Sequence, residues 1–261
     1  MKICIVSNLY LETTLPLAKY LAQNGNSVKV YAIIPIYKPN AYVIDYAGQD
    51  IKLGFNDSLT LNKIDPQLSG YMGDVEIIPF FHNGNLGKKY WKDIFVSFAI
   101  KNRLLSENYD IIHQIGTNSI CLYLQLLMGK KIAIQTLHEV TAHETKTDLR
   151  SKIFLKIIGN RNKNGIIVHS QTSLNRLTDY FRNALKIKLL PQIYFVPFGL
   201  FETNLLYTTK NVEKDKNLVL FWGRITPYKG VDVLRKAFIE VTKQLPDAKL
   251  LIAGEGKTDE I

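Results

Sequence analysis

Short apolar runs alternate along this chain with stretches in which apolar residues recur every three or four positions. The run at residues 2–7 is followed by apolar residues at helical spacing from Leu11 to Ala22, and Gly25 ends that pattern. A second apolar run covers residues 27–34. A strand, a helix and a strand in this order predict a βαβ unit, whose strands are parallel and whose crossover is right-handed. The pattern therefore predicts a doubly wound α/β fold.

The same alternation continues further along the chain. Strands are predicted at residues 110–114, 132–137, 165–170 and 193–198, and helices at residues 91–105, 120–128, 148–158 and 173–184. Residues 36–88 are rich in Gly, Asn, Asp and Pro, and we interpret them as loops with one short strand at residues 75–79.

A polar and charged stretch after Phe201 is typical of a linker between domains. A second βαβ unit follows it. The predicted organisation is a first domain at residues 1–205, a linker at residues 206–216 and an incomplete second domain at residues 217–261. The last piece is too short to bury a core of its own, so it either docks on the first domain or belongs to a longer chain.

The composition is that of an ordinary globular protein. Of 261 residues, 46% are hydrophobic and 21% are charged, which excludes collagen, coiled coil and wholesale disorder. The sequence has 33 Lys and Arg residues and 23 Asp and Glu residues, which give a formal net charge of +10. That charge favours an anionic partner, which could be nucleic acid, anionic lipid headgroups or a phosphorylated substrate.

The sequence favours a reducing, cytosolic environment. Its two cysteines, Cys4 and Cys121, lie in an apolar run and a predicted helix, so they indicate neither a disulfide framework nor a zinc site. No apolar run approaches the ~18 residues of a membrane span, and Asn8 and Glu12 interrupt the first one. We expect a cytoplasmic protein and leave open peripheral attachment to the inner face of the membrane.

One segment has the makeup of a basic amphipathic helix. Residues 87–105 combine Lys88, Lys89 and Lys92 with Trp91 and further aromatic residues. Such a helix could lie on anionic lipid or contact an acceptor substrate. The alternative is a core helix with a solvated polar face.

Residues 223–230, with the sequence GRITPYKG, stand between a predicted strand and a predicted helix. Backbone amides and the dipole at a helix N-terminus favour phosphate, a guanidinium such as Arg224 can bind two oxygens, and Lys229 adds a further positive charge. The segment therefore predicts a diphosphate site. The alternative is a basic turn with two solvated cations.

This segment, continued as GRITPYKGVDVLRKAF and followed by AKLLIAGEG, resembles the donor site of GT-B glycosyltransferases of family 4, which are retaining, nucleotide-sugar-dependent enzymes. The resemblance extends upstream, in the family's order, through residues 109–116, 131–140, 165–177 and 195–200. It implies a GT-B fold with a complete N-terminal Rossmann-like domain and the first βαβ part of a second. The family's two glutamates separated by seven residues would lie beyond Ile261, so the resemblance implies a chain truncated at its C-terminus.

The resemblance also implies roles for particular residues. Arg224 and Lys229 would hold the donor diphosphate and neutralise the leaving group without a metal, and Gly223 would let the backbone approach it. Gly254 and Gly256 resemble the turn that lies near the nucleotide. No cofactor is implied beyond the nucleotide-sugar substrate.

His138 ends a predicted strand where the family has a histidine that contacts the donor sugar near the reacting carbon. Without the resemblance, a structural strand-end histidine is the favoured interpretation. The chain departs from the family at Phe198 and Phe201, which flank Gly199 where polar residues and an aspartate are usual. The first strand-to-helix loop also lacks the glycine pair that is usual in the family.

These observations predict a glycosyltransferase that moves a sugar from a nucleotide sugar to a glycan or lipid-linked acceptor. Alternatives are a sugar-nucleotide epimerase of the same fold and a non-catalytic basic module that binds membrane or nucleic acid; no nucleic-acid motif is present. A Rossmann dehydrogenase is disfavoured, because residues 7–17, directly after the first strand, contain no glycine. His138 and His143 are five residues apart and would not share a helix face, so we expect no metal site.

Overall fold

The computed structural model describes residues 1–8, 10–37, 43–83, 92–138, 149–161, 165–207 and 213–256. The chain divides into two compact units, Met1–Thr208 and Thr209–Ile261. Each unit has its own sheet, and the two are described separately below.

The first unit is built on an eight-stranded sheet with the order β3-β4-β2-β1-β5-β6-β7-β8. Its strands are β1 (Lys2–Asn8), β2 (Ser27–Pro35), β3 (Gly54–Phe55), β4 (Glu76–His82), β5 (Ile111–Ile115), β6 (Ile132–Leu137), β7 (Gly165–Val168) and β8 (Gln192–Phe195). Its helices are α1 (Leu11–Gln23), α2 (Leu61–Ile64), α3 (Pro66–Met72), α4 (Asp93–Ser106), α5 (Ser119–Met128), α6 (Leu149–Gly159), α7 (Gln171–Asp179) and α8 (Glu202–Leu205). All neighbouring strands are parallel except β3, which pairs antiparallel with β4. The predicted doubly wound α/β fold is confirmed.

Both faces of the sheet are buried, which explains the continuous apolar runs of the central strands. In β1, Ile3 and Ile5 pack in the core that includes α1 and α3, whereas Cys4 and Val6 pack in the core that includes α4 and α5. Strand order changes direction between β1 and β5, because β2 and β4 lie to one side and β6, β7 and β8 to the other. In open α/β sheets, ligands bind at the carboxyl ends of the strands beside such a switch point.

The prediction that residues 36–88 are loops with one strand is wrong for residues 61–72. These residues form α2 and α3, and Leu68 and Met72 are buried in the core. A cap explains the helix: the Asp65 side chain accepts a hydrogen bond from the Leu68 amide, and Pro66 occupies the first turn. The helices are too short to show the apolar periodicity on which the prediction relied.

A charged cluster lies in the first unit around Glu107. Its carboxylate accepts hydrogen bonds from Lys29 Nζ at 2.7 Å, Tyr31 Oη at 2.8 Å, Arg103 Nε at 2.8 Å and Tyr109 Oη at 2.8 Å. Partial burial opposes ionisation, but these four donors prevail and hold the pKa of Glu107 at about 2. The cluster joins β2, the C-terminal end of α4 and the residues before β5.

We expect Glu107→Gln to lower the free energy of unfolding by about 2 kcal/mol at pH 7, because the variant loses charge-assisted hydrogen bonds. The pKa of Glu107 is lower in the folded than in the unfolded state, so its contribution is present above about pH 4.3 and is lost as the pH falls toward 2. Urea unfolding should therefore show a difference between wild type and variant that narrows from pH 7 to pH 3. Glu76→Gln, which removes a more exposed partner of Lys29, should cost less than about 1 kcal/mol. An equal loss of unfolding free energy in both variants would contradict the central role of Glu107 in this cluster.

The helix predicted to be basic and amphipathic is α4, which begins at Asp93. Its inner face, with Ile100 and Leu104, packs in the core, so the core-helix interpretation holds for that face. The outer face carries Phe95, which is 65% exposed, and Phe98, with Lys101 Nζ 5.4 Å from the Phe98 ring. Among the described residues, no helix is long and apolar enough to cross a membrane.

The second unit contains a parallel pair of strands and one long helix. The strands are β9 (Leu218–Trp222) and β10 (Lys249–Ala253), and the helix is α9 (Val231–Gln244). The strand, helix and strand of the second predicted βαβ unit are therefore confirmed. Much of the apolar surface is exposed, with Trp222 82% exposed.

Candidate functional site

A pocket of about 310 Å³ opens in the first unit, at the carboxyl ends of β5, β6 and β7. Its floor comes from alternate residues of these strands, which point to the same face of the sheet as α1. Helix α1 and the segment after β8 form the walls. The lining residues are Thr13, Pro16, Leu17, Tyr20, His113, Ile115, Thr136, His138, Ile167, His169, Val196, Pro197, Phe198, Gly199, Leu200 and Glu202. The pocket lies beside the switch point of the sheet.

Two histidines and two aromatic rings are stacked in this pocket. The Tyr10 ring lies parallel to His138 with centroids 3.7 Å apart, and the Phe198 ring lies on His169 with centroids 3.9 Å apart. The imidazoles of His138 and His169 are 4.9 Å apart. The Nε2 atoms of both histidines are buried and have no hydrogen-bond partner among the described residues.

The histidines of the pocket are neutral at physiological pH. Burial, reinforced by the neighbouring His169, lowers the pKa of His138 to about 4. Burial also lowers the pKa of His113 to about 4, and a 2.7 Å hydrogen bond joins its Nε2 to the Thr136 hydroxyl. Burial lowers the pKa of His169 as well. The pocket therefore offers uncharged hydrogen-bonding groups among aromatic rings.

The predicted diphosphate segment, residues 223–230, connects β9 to α9 in the second unit. Gly223 has φ +146° and Gly230 has φ +66°, so both positions use conformations that favour glycine. Gly230 occupies the cap position of α9 and has no side chain, which leaves the first amides of the helix without a side-chain cap. Arg224 and Lys229 are exposed at either side of the segment. The arrangement has the parts that an anion site at a helix N-terminus requires.

Gly254 and Gly256 are required by a close approach of two backbone segments. A Cβ on Gly254 would lie 1.8 Å from the Gly223 carbonyl oxygen, and a Cβ on Gly256 would lie 2.1 Å from the Ile225 carbonyl oxygen. The Gly223 amide donates to Ala253 at 3.0 Å, and the Ile225 amide donates to Glu255 at 2.8 Å. The absence of side chains at Gly254 and Gly256 lets the two backbone segments approach, and these two hydrogen bonds then fix the segment that carries Arg224.

The structure puts the predicted site residues in both units. His138 lies in the pocket of the first unit, whereas Gly223, Arg224, Lys229, Gly254 and Gly256 gather around one loop of the second. Lys92, which precedes α4, lines a separate cavity of about 320 Å³ at the end of β4. The remaining membrane or acceptor candidates, Lys88, Lys89 and Trp91, lie outside the described residues.

Sequence reasoning missed His113 and did not connect His169 with His138. Ser170, which follows His169, caps α7, because its side chain accepts a hydrogen bond from the Ser173 amide. A signal was available: a histidine lies in or just after each of β5, β6 and β7, and the carboxyl ends of parallel strands share one edge of the sheet.

No cluster of metal ligands is found in the described part of the chain. His143, which the sequence analysis compared with His138, lies outside that part. The expectation of a metal-free site therefore stays a prediction.

Residues 207–260 match the family described as Glycosyl transferases group 1. An uncharacterized glycosyltransferase of Methanocaldococcus jannaschii is 32% identical over 95 residues, which are 35% of this chain and 23% of that protein. Sucrose-phosphate synthase from Thermosynechococcus elongatus has a similar structure, with a TM-score of 0.60 and 16% identity over 99% of this chain and 63% of the synthase. UDP-GlcNAc 2-epimerase from Methanocaldococcus jannaschii gives a TM-score of 0.58 and 13% identity over 100% of this chain and 67% of the epimerase.

The structural similarities confirm the predicted fold class, an α/β fold of GT-B type. The family match adds a glycosyltransferase group 1 region at the C-terminal end of the chain, where the predicted donor segment lies. The chain spans less than a quarter of the archaeal relative's length and under two thirds of the synthase's length.

Proposed function

We propose that this protein is a glycosyltransferase of family 4 that moves a sugar from a nucleotide-sugar donor to a glycan or lipid-linked acceptor. The observation that carries the proposal is the loop at residues 223–230, which lies inside the matched group 1 region and has two glycines in left-handed conformations, an uncapped helix start and two exposed cations. Fold alone would not support the assignment, because related folds host different reactions.

Transfer requires the bond between the anomeric carbon and the donor phosphate to break, which leaves negative charge on the departing diphosphate. Arg224 would bind two of its oxygens, Lys229 would add a point charge, and the amides at the start of α9 would complete the anion site. With that charge neutralised by the protein, we expect no metal or other cofactor to be needed.

His138 would contact the donor sugar near the reacting carbon. The transition state has oxocarbenium character, so positive charge develops on the sugar ring. A histidine whose pKa is about 4 is neutral, and it can hydrogen-bond a sugar hydroxyl without repelling that charge. The family resemblance further suggests retention of the anomeric configuration.

We further propose that the protein acts at the cytoplasmic face of a membrane, in the synthesis of surface polysaccharide or glycolipid. Its support is the outer face of α4, where exposed Phe95 and Phe98 adjoin Lys101, together with the net charge of +10. We expect no nucleic acid partner.

A second candidate function is the epimerisation of a nucleotide sugar. The structural similarity to UDP-GlcNAc 2-epimerase favours it, because that enzyme also has to accommodate a nucleotide sugar. The two candidates differ in products: a transferase needs an acceptor and releases the nucleoside diphosphate, whereas an epimerase converts the donor without an acceptor.

The test is a screen of UDP-, GDP- and ADP-sugars with the protein expressed from its complete gene, with and without membrane lipid extract as acceptor. We expect one donor to release nucleoside diphosphate only when acceptor is present, and NMR of the product to show the donor's anomeric configuration. Activity should persist in EDTA, because Arg224 and Lys229 replace a metal. Donor isomerisation without acceptor would favour the epimerase, and loss of activity in EDTA would overturn the metal-independent mechanism.

A further inference from the structure

In the pocket of the first unit, the contacts of His169 show which of its two ring nitrogens carries the proton. His169 Nδ1 lies 2.8 Å from the carbonyl oxygen of Val196. A carbonyl only accepts, so Nδ1 must carry the proton. Because burial lowers the pKa of His169, the ring is neutral and its Nε2 has a free lone pair.

That lone pair has no partner. His169 Nε2 is buried and accepts no hydrogen bond from any described residue. A buried polar atom left unpaired destabilises the fold, so native proteins keep few of them, and a ligand that donates a hydrogen bond there is favoured. The chemistry that satisfies the atom is an O–H or N–H group.

The ring that covers the atom can move. Phe198 is stacked on His169 at 3.9 Å and is 48% exposed, so its ring is only partly packed. It belongs to the segment after β8, next to Gly199, which has open space around its Cβ position. Side chains this exposed change rotamer within nanoseconds, so displacement of Phe198 would uncover Nε2.

Apart from His138, whose Nε2 is also unpartnered, several polar side chains around the pocket are already engaged. The Thr13 hydroxyl donates to the Tyr10 carbonyl at 3.1 Å, Thr136 is bonded to His113, and Glu202 accepts from the Tyr71 hydroxyl at 2.6 Å. Half of the lining residues are Pro, Leu, Ile, Val or Phe, so several hydroxyls of a sugar would lose their water against apolar side chains. An apolar molecule with a single hydroxyl avoids that loss.

We propose that this pocket binds an apolar alcohol whose hydroxyl donates a hydrogen bond to His169 Nε2 after the Phe198 ring has moved aside, and that this alcohol is the acceptor end of the transfer reaction. The assignment as acceptor rests on the proposed function, but the binding itself does not. His138, 4.9 Å from His169, would remain free for the donor sugar.

The test uses phenol and toluene, which have similar size; toluene has a methyl group where phenol has its hydroxyl. The protein is labelled with ¹⁵N at histidine. We expect phenol to bind about tenfold more tightly than toluene and to shift the resonance of the unprotonated His169 nitrogen. His169→Phe keeps a ring but removes the acceptor, so it should abolish the preference. His82→Phe is the matched control: His82 Nδ1 is also buried and unpartnered but does not line this pocket, so the preference should remain.

Phe198→Ala should raise the affinity for both probes, because the covering ring is gone. Equal affinities for phenol and toluene in the wild type, a preference that survives His169→Phe, or tighter binding of methyl glucoside than of phenol would each overturn the proposal. Phenol binding without any sugar transfer in the donor screen would overturn the proposed function and leave the binding site standing, so the two failures are distinguishable.

Discussion

Replacement of Arg224 by alanine is expected to lower kcat/KM for sugar transfer by about a hundredfold to a thousandfold. In the proposed reaction the guanidinium binds the diphosphate as negative charge develops on it, so its loss raises the barrier more than it weakens donor binding. Lys229→Ala should also lower kcat/KM by at least tenfold, because the ammonium acts on the same charge. Steady-state kinetics with the donor identified in the screen would measure both effects.

Two further variants separate this role from a general effect of charge. Arg224→Lys keeps the positive charge but cannot bind two oxygens in a planar arrangement, so it should retain intermediate activity. Arg235→Ala removes the same side chain from the exposed surface of α9 and should leave kcat/KM within about twofold of wild type. Activity near wild type in Arg224→Ala would contradict the proposed donor site.

Replacement of Gly254 by alanine is expected to abolish donor binding. The added Cβ would lie 1.8 Å from the carbonyl oxygen of Gly223, so the backbone that positions Arg224 has to move. The affinity for the nucleoside diphosphate of the identified donor should fall at least a hundredfold by titration calorimetry, since a charged ligand depends on the positions of its partners. Gly256→Ala should behave in the same way, because its Cβ would meet Ile225.

The matched control for these variants is Gly70→Ala. Gly70 is in α3 of the first unit, and its Cβ position has no neighbour within 4 Å. This variant should bind the nucleoside diphosphate as the wild type does. Thermal unfolding of each variant would show whether the second unit remains folded. Wild-type affinity in a folded Gly254→Ala protein would show that the approach of Gly254 to Gly223 does not position the anion site.

The secondary structure was predictable wherever an element is long or buried on both faces. Apolar runs predicted β1 and β2, and helical spacing predicted α1, because these patterns follow from the pleat of a strand and the pitch of a helix. The prediction failed at α2 and α3, which are shorter than two turns of apolar periodicity and depend on the Asp65 cap and on burial against the sheet. The apolar pattern of a few residues predicts a helix poorly when that helix is stabilised mainly by packing against the rest of the chain.

The candidate donor loop was predictable because its parts are adjacent in the sequence. Residues 223–230 carry the glycines, the arginine, the lysine and the helix start within one segment. By contrast, the role of Gly254 against Gly223 became clear only from the pairing of β9 with β10, which brings two distant turns together. The stacking of Phe198 on His169 could likewise not be predicted from the sequence, since it depends on β8 lying beside β7.

By itself, the sequence determined the fold class, the order and kind of most elements and the composition of the candidate donor loop, since each depends on residues close together in the chain. Only the tertiary structure decided the strand order, the meeting of His113, His138 and His169 in one pocket and the tautomer of His169. The physical reason is that hydrophobic periodicity specifies which face of an element is buried but not which element covers it. The three histidines of the pocket are 25 or more positions apart in the sequence, and they become neighbours only when the strands pair.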